Sequence, residues 1–390
     1  MRFPEFHGEW CISTIGEQFD LYSGNTPSRL NKEHFEGNVN WITSGELKEH
    51  YISDTKEKIS EDAATANNLK LLHPGTFVIA IYGLEADGVR GTGSITCKES
   101  TISQACMAFT QKGDVKNEFL YSWYKKHGNI IGIKYAQGTK QQNLSYEILE
   151  KFHIAYPSQD EQDKLIKFIS LLDERIATQS KLIEDLKKLK SAIIVEHYRQ
   201  TEKNEVCVAD LGNHFNVGNL AKDDLSETGK PCIIYGELFT TYGEIISQIE
   251  SHTNKTEGMI LSKKGDLLFP SSTTVDAVSL IAPSVINVDN VILGGDMFGI
   301  HINHNYNTQY LSYYFNHIAK KQLAKFAKGS TIIHLHYTDI EKAKLLLPSL
   351  EEQNRMAKCL VALDKKVSVE QNLLSSLTCQ KSYLLQQMFI

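Results

Sequence analysis

Cysteine is scarce and scattered in this 390-residue chain. The seven thiols, Cys11, Cys97, Cys106, Cys207, Cys232, Cys359 and Cys379, are widely spaced and never form a C-x-x-C pair. That pattern excludes a disulfide framework and a structural zinc knuckle, and predicts reduced, mostly buried thiols. No apolar run approaches the roughly 20 residues of a membrane helix. The N-terminal "MRFPEFHGEW" has no apolar core of a signal peptide, so a cytoplasmic location is expected. The eight prolines are never adjacent, which removes the Asn-Pro-Pro-Tyr or Asp-Pro-Pro-Tyr loop of an amino-methyltransferase. Neither a G-x-x-x-x-G-K-[ST] phosphate loop nor a G-x-S-x-G elbow occurs. "GVRGTGS" at 88–94 reads as a flexible hairpin tip. His301 with His304, and His334 with His336, lack a third metal ligand. Neither a catalytic residue nor a metal site is expected.

A basic excess is also missing. Net charge is −6, with 23% charged and 41% hydrophobic residues, an ordinary globular balance of two or three domains. The sign varies along the chain. Residues 1–150 carry −4 and 201–340 carry −5, whereas 151–200 carry +1 and 341–390 carry +2. A nucleic-acid partner would have to be met by a local basic stripe.

The chain does contain a repeat. A shift of 191 residues aligns Tyr135–Arg199 with Phe326–Ile390 without a gap, and about 17 of 65 pairs are identical. Gly138/Gly329, Leu144/Leu335, Tyr146/Tyr337, Pro157/Pro348, Glu161/Glu352, Gln162/Gln353, Asp173/Asp364 and Lys190/Lys381 are among them. The same offset pairs "SGEL" at 44–47 with "YGEL" at 235–238, and "FLYSWY" from Phe119 with "YLSYYF" from Tyr310. A unit of about 190 residues is duplicated.

Each unit opens with about 150 residues of mixed character. Strand-like runs ("GTFVIAIYG" at 75–83, "GDLLFPSS" at 265–272) alternate with turn residues and short helical stretches near 117–127 and 308–325. A long helix follows. Pro157 or Pro348 fixes an extended start, and Ser158 or Ser349, three residues before Glu161 or Glu352, reads as a capping box. Apolar residues then recur at alternating steps of three and four: Leu165, Ile169, Leu172, Ile176, Ile183, Leu186 and Ile193 in the first helix, and Met356, Leu360, Leu363, Val367, Leu374, Leu377 and Leu384 in the second. Polar residues interrupt both seams at matching places, Gln179/Glu370 and Lys190/Lys381. Two readings are open, packing of each helix on its own domain or pairing of the helices with each other. The narrow seam in a shared register favours pairing as an antiparallel coiled coil, a rod of roughly 57 Å between two modules. The polar "RQTEKNE" at 199–205 links the first helix to the second module.

Two acid-free basic stretches occupy corresponding positions. Residues 125–140 hold Lys125, Lys126, Lys134 and Lys140, followed by Gln141, Gln142 and Asn143; residues 316–334 hold Lys320, Lys321, Lys325 and Lys328. Each passes through a glycine pair, Gly138-Thr139 or Gly329-Ser330, the latter continuing into Thr331, His334 and His336. Lysine and glycine-loop N–H groups suit phosphate, while Gln, Asn and Thr suit base edges. A solvated helix face with a surface loop is the plainer alternative, and the duplication of the feature argues against it. Further base-reading candidates are Thr43, Ser44, Tyr82 and Arg90 in the first unit, and Tyr235, Tyr242, Ser271, Ser272, Thr273 and Thr274 in the second.

Taken together, "QQNLSYEILEKFHIAYPSQDEQDKLIKFISLLDERI", "GEL", "VIAIYG", "STISQACMAF" and "RFPEFHGEW" resemble the specificity subunits of type I restriction–modification systems. The resemblance spans essentially the whole chain, and its most specific part is Glu161-Gln162 after Pro157, repeated as Glu352-Gln353 after Pro348. The second copy departs from it, with "STIIHLHYTDI" where the family often has Gln-Asn-Leu. The resemblance implies an α+β chain with two tandem α/β target-recognition domains (1–156 and 201–347), separated by two long spacer helices (157–200 and 348–390) in a pseudo-two-fold arrangement. It implies double-stranded DNA as ligand, each domain reading one half of a bipartite, asymmetric site while the paired helices set the gap. Two modification subunits would dock on the rod and methylate adenine with S-adenosylmethionine, and restriction subunits would add ATP- and Mg-dependent translocation and cleavage. No cofactor would belong to this chain. The competing expectation is a duplicated, non-catalytic scaffold whose helices recruit protein partners.

Overall fold

In the computed structural model, residues 1–86, 88–138 and 142–389 are described. They form two compact units, Met1–Gln179 with Leu373–Ile390, and Ser180–Asn372. Each unit therefore contains one globular module and a part of each long helix.

In the first unit, a five-stranded sheet runs in the order Phe19–Ser23, Cys106–Gln111, Phe77–Ala80, Gly93–Thr96, Tyr51–Ile52. Its central strand, the Phe-Val-Ile-Ala run read from sequence, is wholly buried because both faces are covered. Lys58–Ile59, Val39–Ile42 and Ser100–Ile102 form a smaller sheet. Cys11–Thr14 pairs antiparallel with His153–Tyr156 just before the long helix begins. The module helix, Asn117–Tyr135, buries Phe119, Leu120, Trp123 and Tyr124 in the core. It runs eight residues past the stretch expected from sequence.

The second unit repeats this plan. Its main sheet runs Gly212–Asn216, Met297–Ile302, Asp266–Pro270, Ser284–Ile286, Ile245–Ile246, and Asn204–Cys207 pairs with Lys344–Leu347. A second five-stranded sheet includes Lys230–Ile234 and Ile292–Gly294. The module helix is broken here: Thr308–Tyr314, a π turn at Phe315–Ala319, then Lys320–Leu323.

The long helices span Gln159–Gln200 and Leu350–Met388. Every residue of the two apolar seams is buried or half-buried. So are the residues that interrupt them: Gln179 and Glu370 are nearly inaccessible, Lys190 is buried, and Lys381 keeps 19% of its side chain exposed. The buried ammonium groups are paired, as burial of a charge requires. Lys190 reaches Asp364 at 2.7 Å in the second unit, and Lys381 pairs with Asp173 in the first. These are the same two positions of the repeat, with the copies that supply the lysine and the aspartate exchanged.

Two sequence expectations are corrected. The thiols are not mostly buried: Cys106 and Cys232 are, but Cys11, Cys97, Cys359 and Cys379 are exposed. The capping glutamates have turned to other partners. Glu161 accepts from Arg2 Nε at 2.7 Å and Nη2 at 2.5 Å, and Glu352 binds His197 Nε2 at 2.9 Å, although the Glu352 N–H does reach Ser349 Oγ at 3.3 Å. A guanidinium or imidazole attracts a carboxylate more strongly than a single backbone N–H.

Candidate functional site

The clearest candidate site is a short loop that recurs in both units. In the first, Gln137 and Asn143 exchange both backbone hydrogen bonds at 2.9 Å, closing a loop that opens on Gly138 at φ +113°. In the second, Lys328 and His334 do the same at 2.9 and 2.7 Å, and Gly329 has φ +117°. That region favours glycine. At Gly329 a Cβ would also meet the Ile332 carbonyl oxygen at 2.0 Å. Thr139, Lys140 and Gln141 lie outside the described residues.

Beside the first loop lies a cavity of about 520 Å³ lined by Tyr82, Met107, Gln137, Gly138, Asn143 and Tyr146, among others. Tyr82 bridges Asn143, Arg90 Nη2 donates to Gln142 Oε1 at 3.0 Å, and the Gln142 N–H donates to Glu85 at 2.8 Å. That last bond, with the positive charge of Arg90 nearby, keeps the Glu85 carboxyl below its usual range. Asn143 Oδ1 and Arg90 Nε are buried without a hydrogen-bond partner among the described residues. The structure thus brings together Tyr82, Arg90, Gly138 and Asn143, four residues singled out from sequence.

The second loop borders a cavity of about 470 Å³ lined by Asp296, Lys328, Gly329, His334, His336 and Asp339. Ser272–Thr273 pairs with Ile333–His334, and the Ser271 carbonyl accepts the Leu335 N–H at 2.9 Å. In the first unit, Leu144 donates to Ile81 and Tyr82 bridges Asn143, so the pairing is the same, with Ile81 and Tyr82 in the places of Ser271 and Ser272. Lys328 is held by Asp339 at 2.5 Å, whereas Ser330 and Thr331 are exposed. His334 and His336 stack with ring centroids 6.1 Å apart, and among the described residues no group of three or more metal-ligating side chains forms.

The other sequence candidates stand elsewhere in their units. Thr43 and Ile234, equivalent under the repeat, each donate their N–H to the glutamate of the Gly-Glu-Leu motif, Glu46 or Glu237, at 2.9 Å. Ser44 and Tyr235 lie in the turns so formed. The Tyr242 hydroxyl accepts the Glu250 N–H at 3.1 Å. Lys126 donates to the carbonyls of Gln386 and Phe389, so it closes the C-terminal end of the second long helix. Lys125 lies over the Tyr121 ring, and burial lowers its pKa. Lys134 borders an apolar cavity with Ile12 and Trp123. Lys320 is half-buried; Lys321 and Lys325 are exposed on the broken module helix.

Sequence reasoning overlooked two polar clusters on the long helices. In the first unit, His50 is sandwiched between Tyr51 and Tyr121, with centroids 4.1 and 4.0 Å away. It meets Glu118 at 2.8 Å and Asp173 at 3.5 Å. In the second, Lys190 Nζ donates to both Glu244 oxygens at 3.0 Å, Glu244 also binds His317 at 2.9 Å, and the Tyr313 hydroxyl donates to Asp364. The only signal for these clusters was the repetition of Asp173/Asp364 and Lys190/Lys381; His50 and Glu244 have no repeat partner of like chemistry.

Two modules of one plan, each with a glycine-opened loop beside a cavity and each tied to a long helix, define a duplicated recognition chain. Comparison with known proteins identifies the class. The type I restriction modification DNA specificity domain matches twice, over residues 7–188 and 201–378. The chain belongs to that family, the non-catalytic DNA-recognition subunit of type I restriction–modification systems. It is 22% identical over 402 residues to the type I restriction enzyme MjaVIII specificity subunit of Methanocaldococcus jannaschii, a match covering 95% of this chain and 90% of that protein. To the MjaIX specificity subunit of the same organism it is 28% identical over 185 residues, which spans 46% of this chain and 42% of the relative. Its fold is similar to that of the type I restriction-modification S subunit from M. genitalium, with a TM-score of 0.60, 19% identity, and 100% and 99% of the two chains covered. A chain from a structural study of complex assembly and conformational transition of the type I R-M system gives a TM-score of 0.61 at 14% identity, with 98% of each chain covered. Among the described residues, no helix is long and apolar enough to cross a membrane.

Proposed function

We propose that this chain reads a bipartite, asymmetric site on double-stranded DNA for a type I restriction–modification complex. Residues 1–156 and 201–347 serve as target-recognition domains, one for each half-site. The helices 157–200 and 348–390 pair as an antiparallel coiled coil, related by a pseudo-two-fold axis, that sets the gap. In support, moving from Lys190 to His197 along the first helix moves back from Asp364 to Glu352 along the second. In the first unit Asp173 meets Lys381, while Arg2 and Met1 bind Glu161 and Gln387.

The observation that carries the reading is the loop built twice at the same repeat positions, Gln137–Asn143 and Lys328–His334. Gly-Thr and Gly-Ser N–H groups with nearby lysines take phosphate, and Tyr82, Arg90, Asn143 and Thr273 take base edges, whereas Ser272 is buried. Two modification subunits dock on the helices and supply S-adenosylmethionine-dependent adenine methylation; restriction subunits supply ATP- and Mg-dependent translocation and cleavage. This chain holds no cofactor and works in the cytoplasm. Co-expression with its modification subunit, followed by mapping of methylated adenines, tests the reading through the form of the methylated motif.

A further inference from the structure

The repeated Glu-Gln after Pro157 and Pro348 has a use that helix capping does not explain. Gln162 and Gln353 are essentially inaccessible. Gln162 Oε1 accepts the N–H of Lys116 at 2.9 Å, and its Nε2 donates to the carbonyls of Asp114 at 3.1 Å and Pro157 at 3.0 Å. Gln353 Oε1 accepts the N–H of Asn307 at 2.9 Å, and its Nε2 donates to the Pro348 carbonyl at 2.9 Å. Lys116 and Asn307 are the N-cap residues of the two module helices, at the end where backbone N–H groups lack partners within the helix.

Only a side chain that donates and accepts at once can make these bonds; an ionised glutamate only accepts. Each amide therefore ties the start of a long helix, the proline before it and the start of the module helix to one another. A second tie lies alongside. Lys116 Nζ meets Asp163 at 2.5 Å in the first unit, and at the same repeat positions Asn307 Nδ2 donates to Asn354 Oδ1 at 2.7 Å in the second. The outer tie changes from an ion pair to an amide pair while its place is kept. Because the glutamines grip backbone groups, a module can change its side chains without loosening the joint.

We infer that Gln162 and Gln353 are positioning residues that fix the angle between each module and its own long helix, and so hold the gap between half-sites to one length. This rests on the function proposed above. One base pair more or less turns a half-site by about 34° and moves it about 3.4 Å, so a joint that yields by that much admits a second gap.

Gln353→Met keeps the volume and removes the hydrogen bonds. In the complex of the full chain with its modification subunit, binding is measured on duplexes carrying the mapped half-sites at the native gap and at one base pair more or less. The preference for the native gap falls by about tenfold, equivalent to 1.4 kcal/mol, while the half-site bases read stay the same. Rescue by Gln353→Glu is not expected, because the donor is lost. A merely structural role would lower binding at all gaps alike. Hydrogen exchange provides a measure independent of DNA: the Asn307 N–H loses protection in Gln353→Met, as does that of Lys116 in Gln162→Met. Where a glutamine variant fails to fold, Asn354→Ala, which cuts only the outer tie, is read by the same gap ratio. Unchanged amide protection, or an unchanged gap ratio in folded variants, overturns the inference. A wild-type complex that shows no bipartite preference while the N–H groups still lose protection refutes the DNA reading and leaves a joint of another purpose.

Discussion

Replacing Lys190 by Met tests whether the polar break in the helix seam is a built clamp. The side chain is only 10% exposed, and its ammonium group is shared by Glu244 at 3.0 Å and Asp364 at 2.7 Å. Burial alone would lower its pKa, but the two carboxylates outweigh that and raise it. Burial likewise acts to raise the pKa of Glu244, yet His317 and Lys190 bring it down to about 2, against 4.5 for a free glutamate. A depressed carboxylate pKa contributes stability that is present above pH 4.5 and is lost as pH falls through 2. The difference corresponds to about 3 kcal/mol. Methionine preserves the stem and leaves two carboxylates facing each other, a loss of about 3 kcal/mol. For a unit of this size that lowers Tm by about 6–12 °C at neutral pH. Acid unfolding begins at higher pH in the variant because Glu244 has lost a cation. Calorimetry and urea titration at pH 7 and pH 4 read both effects. Lys190→Met with Glu244→Gln recovers part of the loss, since one of the two facing carboxylates is then neutral and only Asp364 is left without its lysine. A change in Tm of under about 2 °C, or a double variant no more stable than the single, refutes the clamp.

Two further outcomes are expected. Burial lowers the His50 pKa, but Asp173 and Glu118 more than compensate, and the net shift is upward. Its stabilisation is fully present below the unfolded value of 6.5 and fades as pH rises through the raised value, so wild type weakens as pH rises above 6.5. His50→Gln flattens that dependence in urea titrations; an unaltered slope counts against a charged His50. Lys134→Glu combined with Lys325→Glu abolishes duplex binding by the assembled complex, and wild-type binding falls steeply from 50 to 200 mM salt, as lysine–phosphate contacts require. Retained binding by the double variant removes these lysines from the interface.

The duplication was legible because its wording survives wherever both copies meet the same physical demand. Leu165, Ile169, Met356 and Leu360 sit in a repeating register, and a 3.6-residue period reveals their burial without knowledge of a partner. Tyr82 and Asn143 were recognisable as chemistry types beside a glycine that needs φ > 0. What could not be read was the direction of long side chains. Lys125 and Lys126 belong to an acid-free stretch, yet one lies over Tyr121 and the other reaches carbonyls of Gln386 and Phe389, more than 250 positions away. Only tertiary structure decides such placements. That Ile81 and Tyr82 correspond to Ser271 and Ser272, one residue out of step with the helices, is likewise invisible, because a gapless helix alignment does not register a change of length upstream of it. Gln162 and Gln353 were seen as repeated letters, but the backbone groups they bind lie 46 positions earlier.

The measurement that bears most directly on the whole account is a map of methylated adenines in DNA from cells expressing this chain with its modification subunit. The expected result is one motif of two unlike half-sites separated by a fixed stretch of unspecified bases, with both halves vanishing together when this chain is omitted. A continuous motif, or methylation that does not depend on this chain, contradicts it.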